Sequence, residues 1–137
     1  MPSWEETKAH LERNFEIAAK GESWLGLVWS FPGADQPIPQ RERVELAKAF
    51  GQPHILLLAD VGPASIMDPA TALAHNMSLA CGSLAVTKGT LVVKQLLPLG
   101  DLSLSQLSRS LEYVAHEVAR LRSQLQRDET ADLRATS

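Results

Sequence analysis

From Leu104 onward the apolar residues recur every third or fourth position: Leu104, Leu107, Leu111, Val114, Val118, Leu121 and Leu125. That spacing lays them on one stripe of a helix. The residues between them (Ser108, Arg109, Glu112, Glu117, Arg120, Arg122, Gln124) suit solvent. The stripe lasts only about three heptads. It also follows directly on a strand-like run ending at Pro98-Leu99-Gly100. Both features predict a helix that closes the domain by lying on its own sheet. Ser103 with Gln106 forms a capping box at its start. The polar stretch from Arg127 to Ser137 reads as a flexible C-terminal tail, which leaves residues 1–126 as one domain.

Upstream, the period alternates between helix and strand. Ser3 and Glu6 make a first capping box, opening a helix with Trp4, Leu11, Phe15 and Ala18 on one side and Gly21 as its stop. Trp24 to Phe31 is rich in aromatic and β-branched residues, and Leu25, Leu27, Trp29 and Phe31 share a face, which predicts a strand. Pro32, Gly33, Pro37 and Pro39 predict a long loop from Pro32 to Arg43. Val44 to Phe50 fits two templates. Val44, Leu46 and Phe50 alternate as in a strand, whereas Glu45, Leu46, Ala47, Lys48 and Ala49 are good helix formers. A strand there would pair across the Gly51-Gln52-Pro53 turn with the apolar run His54–Val61, and this hairpin is the favoured reading. Asp68-Pro69 is an N-cap and first-turn proline for a helix running to about Ala80, showing Leu73, Met77 and Ala80 and ended by Gly82. Ser83–Thr87 and Thr90–Leu97 flank Lys88-Gly89 as a hairpin. The order is α-β-β-β-α-β-β-α, an α+β class with an antiparallel sheet and helices packed on it.

Composition narrows the function. A chain of 137 residues with 45% apolar and 21% charged residues suits one soluble domain. Net charge is −3, which argues against nucleic acid as a partner. No run approaches the roughly 20 apolar residues of a membrane span. The acidic start, Met1 to Glu6, does not resemble a signal peptide, and Cys81 is the lone cysteine, so the expected setting is cytoplasmic and reduced.

Little of the chain suggests catalysis. Asp60-Val61-Gly62-Pro63 closes an apolar strand much as cofactor loops of doubly wound folds do, but Ala64 stands where a further glycine is wanted. His10, His54, His75 and His116 have no ligand spacing, Cys81 has no local base, and Lys88-Gly89 lacks the glycines of a phosphate loop. No enzyme activity, cofactor or metal is therefore expected. Of the tryptophans, Trp29 fits the core, and Trp4, near a helix start, fits either core or a partner contact.

The stretch from Ala72 to Leu121 carries a resemblance. It contains Ala72-Leu73-Ala74-His75-Asn76-Met77-Ser78-Leu79, then Cys81-Gly82-Ser83-Leu84-Ala85-Val86, then Gly89 to Ser103 with its Pro98-Leu99, then the seamed helix. Together with the element order, it resembles the secretion-chaperone-like family of class I type III secretion chaperones of the Tir-chaperone kind and YbjN-like proteins. The Pro32–Pro39 loop departs from that pattern.

The resemblance implies a non-enzymatic homodimer that binds an extended segment of a secreted effector or other client, or alternatively a YbjN-like regulatory or structural domain without a client. It places the dimer interface at Leu73, Met77, Ala80, Leu84 and Val86. It places the client on Trp4, Leu11, Phe15, Leu25 and Leu27. Binding of this kind needs apolar pockets and a free sheet edge rather than reactive groups.

Overall fold

A computed structural model describes residues 2–31 and 38–136, with side chains described for 2–30 and 40–125. Helix α1 (Trp4–Asn14) opens as the capping box predicts, with Ser3 Oγ accepting from the Glu6 amide at 3.1 Å. It ends earlier than the sequence suggests. Asn14 turns its amide back onto the His10 carbonyl at 2.8 Å, and Phe15 is already extended. The chain then enters a strand that periodicity did not reveal, β1 (Glu16–Lys20). Ala18, Ala19 and Lys20 have helical propensity, but pairing with β2 (Trp24–Phe31) overrides it. Gly21 is thus a turn residue between strands. The Trp24 indole lies over it so closely that any side chain there would collide.

Strand β3 (Ile38–Ala49) and strand β4 (Gln52–Pro63) resolve the ambiguity at Val44–Phe50 in favour of the hairpin, with Val44 opposite Leu57 and Ala49 opposite Gln52. The predicted loop is correspondingly shorter. Ile38 to Arg43 pair with Phe31 to Gly26, while Pro32, Gly33 and Pro37 lie outside the described residues. Phe50 and Gly51 turn the hairpin with φ of 52° and 73°. Helix α2 (Pro69–Asn76) is capped by Asp68, whose carboxylate accepts from the Thr71 amide at 2.9 Å. It stops short of Ala80 because the Asn76 side chain leaves the helix to accept the Leu84 amide at 2.6 Å. Strand β5 (Ser83–Thr87) and strand β6 (Thr90–Pro98) form the expected hairpin, with Lys88 and Gly89 at φ of 50° and 77°.

Helix α3 (Leu104–Thr136) starts from a reciprocal cap: Ser103 Oγ accepts from the Gln106 amide and Gln106 Oε1 accepts from the Ser103 amide. Its backbone continues as helix through residues 127–136, the stretch that reads as a tail in the sequence.

The sheet is antiparallel throughout, in the order β1-β2-β3-β4-β6-β5. Its α+β architecture and the helices on the sheet are those expected, with β1 added. The seam of α3 is the keel of the core: Leu107, Leu111, Val114, Val118 and Leu121 are fully buried against Leu25, Leu27, Val44, Ile55, Leu57 and Val93. Arg122 ties the helix to β4 by donating to the carbonyls of Val61 (3.0 Å) and Asp60 (3.1 Å). Side chains alternate across each strand, so the opposite face of the same sheet lies outside this core.

Candidate functional site

The residues named for a client divide sharply from those named for a dimer. Trp4, Leu11, Leu25 and Leu27 are core residues, at most 9% exposed. Trp4 also donates its indole N–H to the Glu22 carbonyl at 2.9 Å. Phe15 is half-buried and packs on Trp29, with ring centroids 5.2 Å apart and planes at 60°. These five therefore hold α1 to the sheet and offer no free patch. Amphipathic periodicity marks a face that must be covered; here α1 and α3 cover it.

The residues named for self-association lie at the surface. Leu73 is 69% exposed, Met77 91% and Val86 61%, and Ala80 is exposed as well. Leu84 differs: its side chain is buried, and only its backbone reaches this corner. Helix α2 and strand β5 form the corner together, joined by the bond from the Leu84 amide to Asn76. Because that amide points away from β6, Val86, two residues on, also presents its backbone outward. The result is an edge strand with no charged residue beside three exposed apolar side chains.

The other edge is built differently. β1 carries Glu16 and Lys20 and is broken by a register shift between Ile17 and Ala19. Lys20 reaches Glu12 of α1 at 3.9 Å. Charge and a bulge are both features that discourage strand pairing.

Between the edges, the uncovered face of the sheet forms an open depression of about 780 Å³. The register sets its rows. Gly26, Arg43, Leu58 and Lys94 follow one another across β2, β3, β4 and β6, flanked by the row Trp24, Glu45, Leu56 and Leu96. Asp60 and Val92 are cross-strand partners in the row beyond. The Arg43 guanidinium stacks over the Trp24 ring, 4.3 Å from its centroid, and pairs with Glu45.

One titratable group is hidden in the interior. Glu42 is 2% exposed on the covered face, where its Oε2 accepts the Trp29 indole N–H at 2.9 Å. Its Oε1 has no hydrogen-bond partner among the described residues. Burial drives its carboxyl well above the usual range, and the Trp29 bond offsets this only in part. Neighbouring Gln40 is satisfied, donating to the Asp60 carbonyl at 2.9 Å and the Arg41 carbonyl at 3.2 Å.

The remaining reactive side chains are scattered. His10 meets Ser108 at 2.8 Å and joins α1 to α3. His54 Nδ1 lies 2.9 Å from the Gln52 carbonyl oxygen, and His116 lies 3.9 Å from Glu112. Burial, with Glu117 and Glu42 nearby, pushes the Cys81 thiol upward, which disfavours the reactive thiolate. Among the described residues no three His, Cys, Asp or Glu side chains are grouped to hold a metal ion, and no helix is long and apolar enough to cross a membrane. Asp60-Val61-Gly62 forms a bulge in β4, with Asp60 opposite Val92 and Gly62 opposite Leu91.

The chain matches no protein-family model, and no curated protein is significantly similar to it.

Proposed function

We propose that this protein is a non-enzymatic, cytoplasmic homodimer that acts as a chaperone or adaptor by holding a segment of another protein. The observation that carries the reading is the α2–β5 corner, where Leu73, Met77 and Val86 stand exposed beside an uncharged edge strand. Apart from the Leu84 amide, which Asn76 holds, this edge pairs with no strand among the described residues; such an edge with apolar flanks is a template for pairing through Val86, and a second copy brings the same edge by two-fold symmetry. Antiparallel pairing of β5 with itself would extend the sheet through both subunits. It would also bring the two α2 helices near the symmetry axis. The client segment then has to bind somewhere other than the core positions of α1 and β2, which are already filled.

The test is Leu73→Asp combined with Met77→Asp. Both side chains are exposed in the monomer, so the fold tolerates the change. An unpaired carboxylate trapped at an apolar interface is strongly unfavourable, and the dimer dissociation constant is expected to rise about a hundredfold or more. Sedimentation equilibrium reads the outcome. A dimer unchanged by both substitutions rules out this corner as the interface.

A further inference from the structure

The depression on the uncovered sheet face is the second unpartnered surface, and its chemistry points to a particular partner. Its floor is apolar, with half-buried Leu56 and Leu58 on β4 and exposed Leu96 beside Leu56 on β6, above the buried Val92. Its charged groups run against the sign of the molecule. Arg41, Arg43 and Lys88 line it and Lys94 lies beside it, against Glu45 and Asp60 and the deeply buried Glu42 beneath, in a chain with 13 basic and 16 acidic residues. Arg43 is already engaged with Glu45 and Trp24. Arg41 and Lys94 are exposed and sit on opposite sides of the Leu58 position.

The backbone excludes one mode of binding. β2, β3, β4 and β6 are each paired on both sides, so this face has no free row of amides and carbonyls to offer. A partner must meet it with side chains alone and satisfy its own backbone, as a helix does. A helix about 10 Å wide fits a face four strands, or roughly 14 Å, across. Gly26 opens the floor next to Arg43. Its missing side chain leaves space whose nearest neighbour is Ala19 at 3.6 Å, with φ outside the left-handed region, so larger residues are conformationally allowed there.

We propose that this face binds an amphipathic helix of a partner protein, with an apolar stripe seated on Leu56, Leu58 and Leu96 and acidic flanks meeting Arg41 and Lys94. The proposal deepens the reading of the chain as a protein-binding module, yet it does not depend on the α2–β5 dimer.

The test uses two fluorescein-labelled helical peptides that share a leucine stripe. One is flanked by glutamates and the other by lysines. Anisotropy titration should show the glutamate peptide binding at least about tenfold more tightly, with the difference shrinking as salt is added. Arg41→Glu with Lys94→Glu should reverse the preference. Gly26→Val, which fills the floor without altering charge, should weaken both peptides. Amide chemical-shift changes on binding should fall on residues 24–28, 41–45, 56–60 and 92–96. Equal affinities for the two peptides, no saturable binding of the glutamate peptide, or shifts confined to α2 and β5 would overturn the proposal. The Leu73→Asp, Met77→Asp variant should bind the glutamate peptide as the parent does. In that variant, an unchanged dimer with intact peptide binding contradicts the α2–β5 interface alone, whereas a lost dimer without a preference for the glutamate peptide contradicts this proposal alone.

Discussion

The two edge strands of this sheet are each five residues long, and they end the same sheet in opposite ways. β1 is charged at both ends, interrupted by a bulge and joined to α1 through Lys20 and Glu12. β5 is uncharged and regular in its pairing with β6, and it is flanked by exposed Leu73 and Met77. A sheet that protects one edge and leaves the other smooth has a direction in which it can grow. The difference lies in a few side chains and one bulge, so single substitutions can remove it.

Among single substitutions, the largest effect on pairing should come from giving β5 the protection that β1 already has. Val86→Lys places a charge on the smooth edge, and the dimer dissociation constant should rise about tenfold or more in sedimentation experiments. The same substitution at Ala18 on β1 should leave self-association unchanged.

A second prediction separates stability from pairing. Burial holds the Glu42 carboxyl well above the usual carboxylate range in the folded state, so the folded state binds this proton more tightly than the unfolded chain does. Stability contributed by this group is full below the ordinary carboxylate range and is lost as pH rises through its raised folded value. Glu42→Gln keeps the shape and removes the titration. Denaturant melts of the variant should lose that downward slope and gain about 1–3 kcal/mol over the parent at alkaline pH, with the dimer constant unaffected. A parent whose stability is flat with pH would contradict the upward shift of the buried carboxyl.

Asn76→Ala should cost about 1 kcal/mol, the net worth of the bond to the Leu84 amide, and should loosen α2 from β5. Chemical denaturation measures the first effect, and faster exchange of the Leu84 amide reports the second. Phe50→Asn is expected to have the smallest effect and the opposite sign. Phe50 is 99% exposed with φ of 52°, a conformation that asparagine adopts more readily, so stability should rise by about 0.5 kcal/mol with no change in pairing.

The sequence disclosed elements wherever a local cap or period agreed with the tertiary structure. Ser103 and Gln106, the seam from Leu107 to Leu121, and the Lys88-Gly89 turn are all formed as the pattern indicates. It concealed β1 because Ala18-Ala19-Lys20 has helical propensity, and only pairing with Leu25, Gly26 and Leu27 makes a strand of it. It also concealed the start of β3, where prolines mask a segment held by β2.

The candidate sites divide in the same way. Only the family resemblance points to Leu73, Met77 and Val86; their exposure is set by the fold and is not marked in the apolar pattern. The amphipathic residues Trp4, Leu11, Leu25 and Leu27 look equally available in one dimension and are consumed by packing in three. Nothing local marks the open face, because its rows of Arg43, Leu58 and Lys94 exist only through register. The burial of Glu42 is likewise set by where β3 falls in the sheet.

The pairing of copies through β5 is tested most directly by spin-label distances in the Cys81→Ser background. A nitroxide placed at position 86 should give a short inter-subunit distance. The same label at position 18 on β1 should give one roughly 50 Å longer, since five strand spacings in each subunit separate the two edges. A short distance from position 18 with a long one from position 86, or no inter-subunit distance from either, would contradict assembly through the α2–β5 corner.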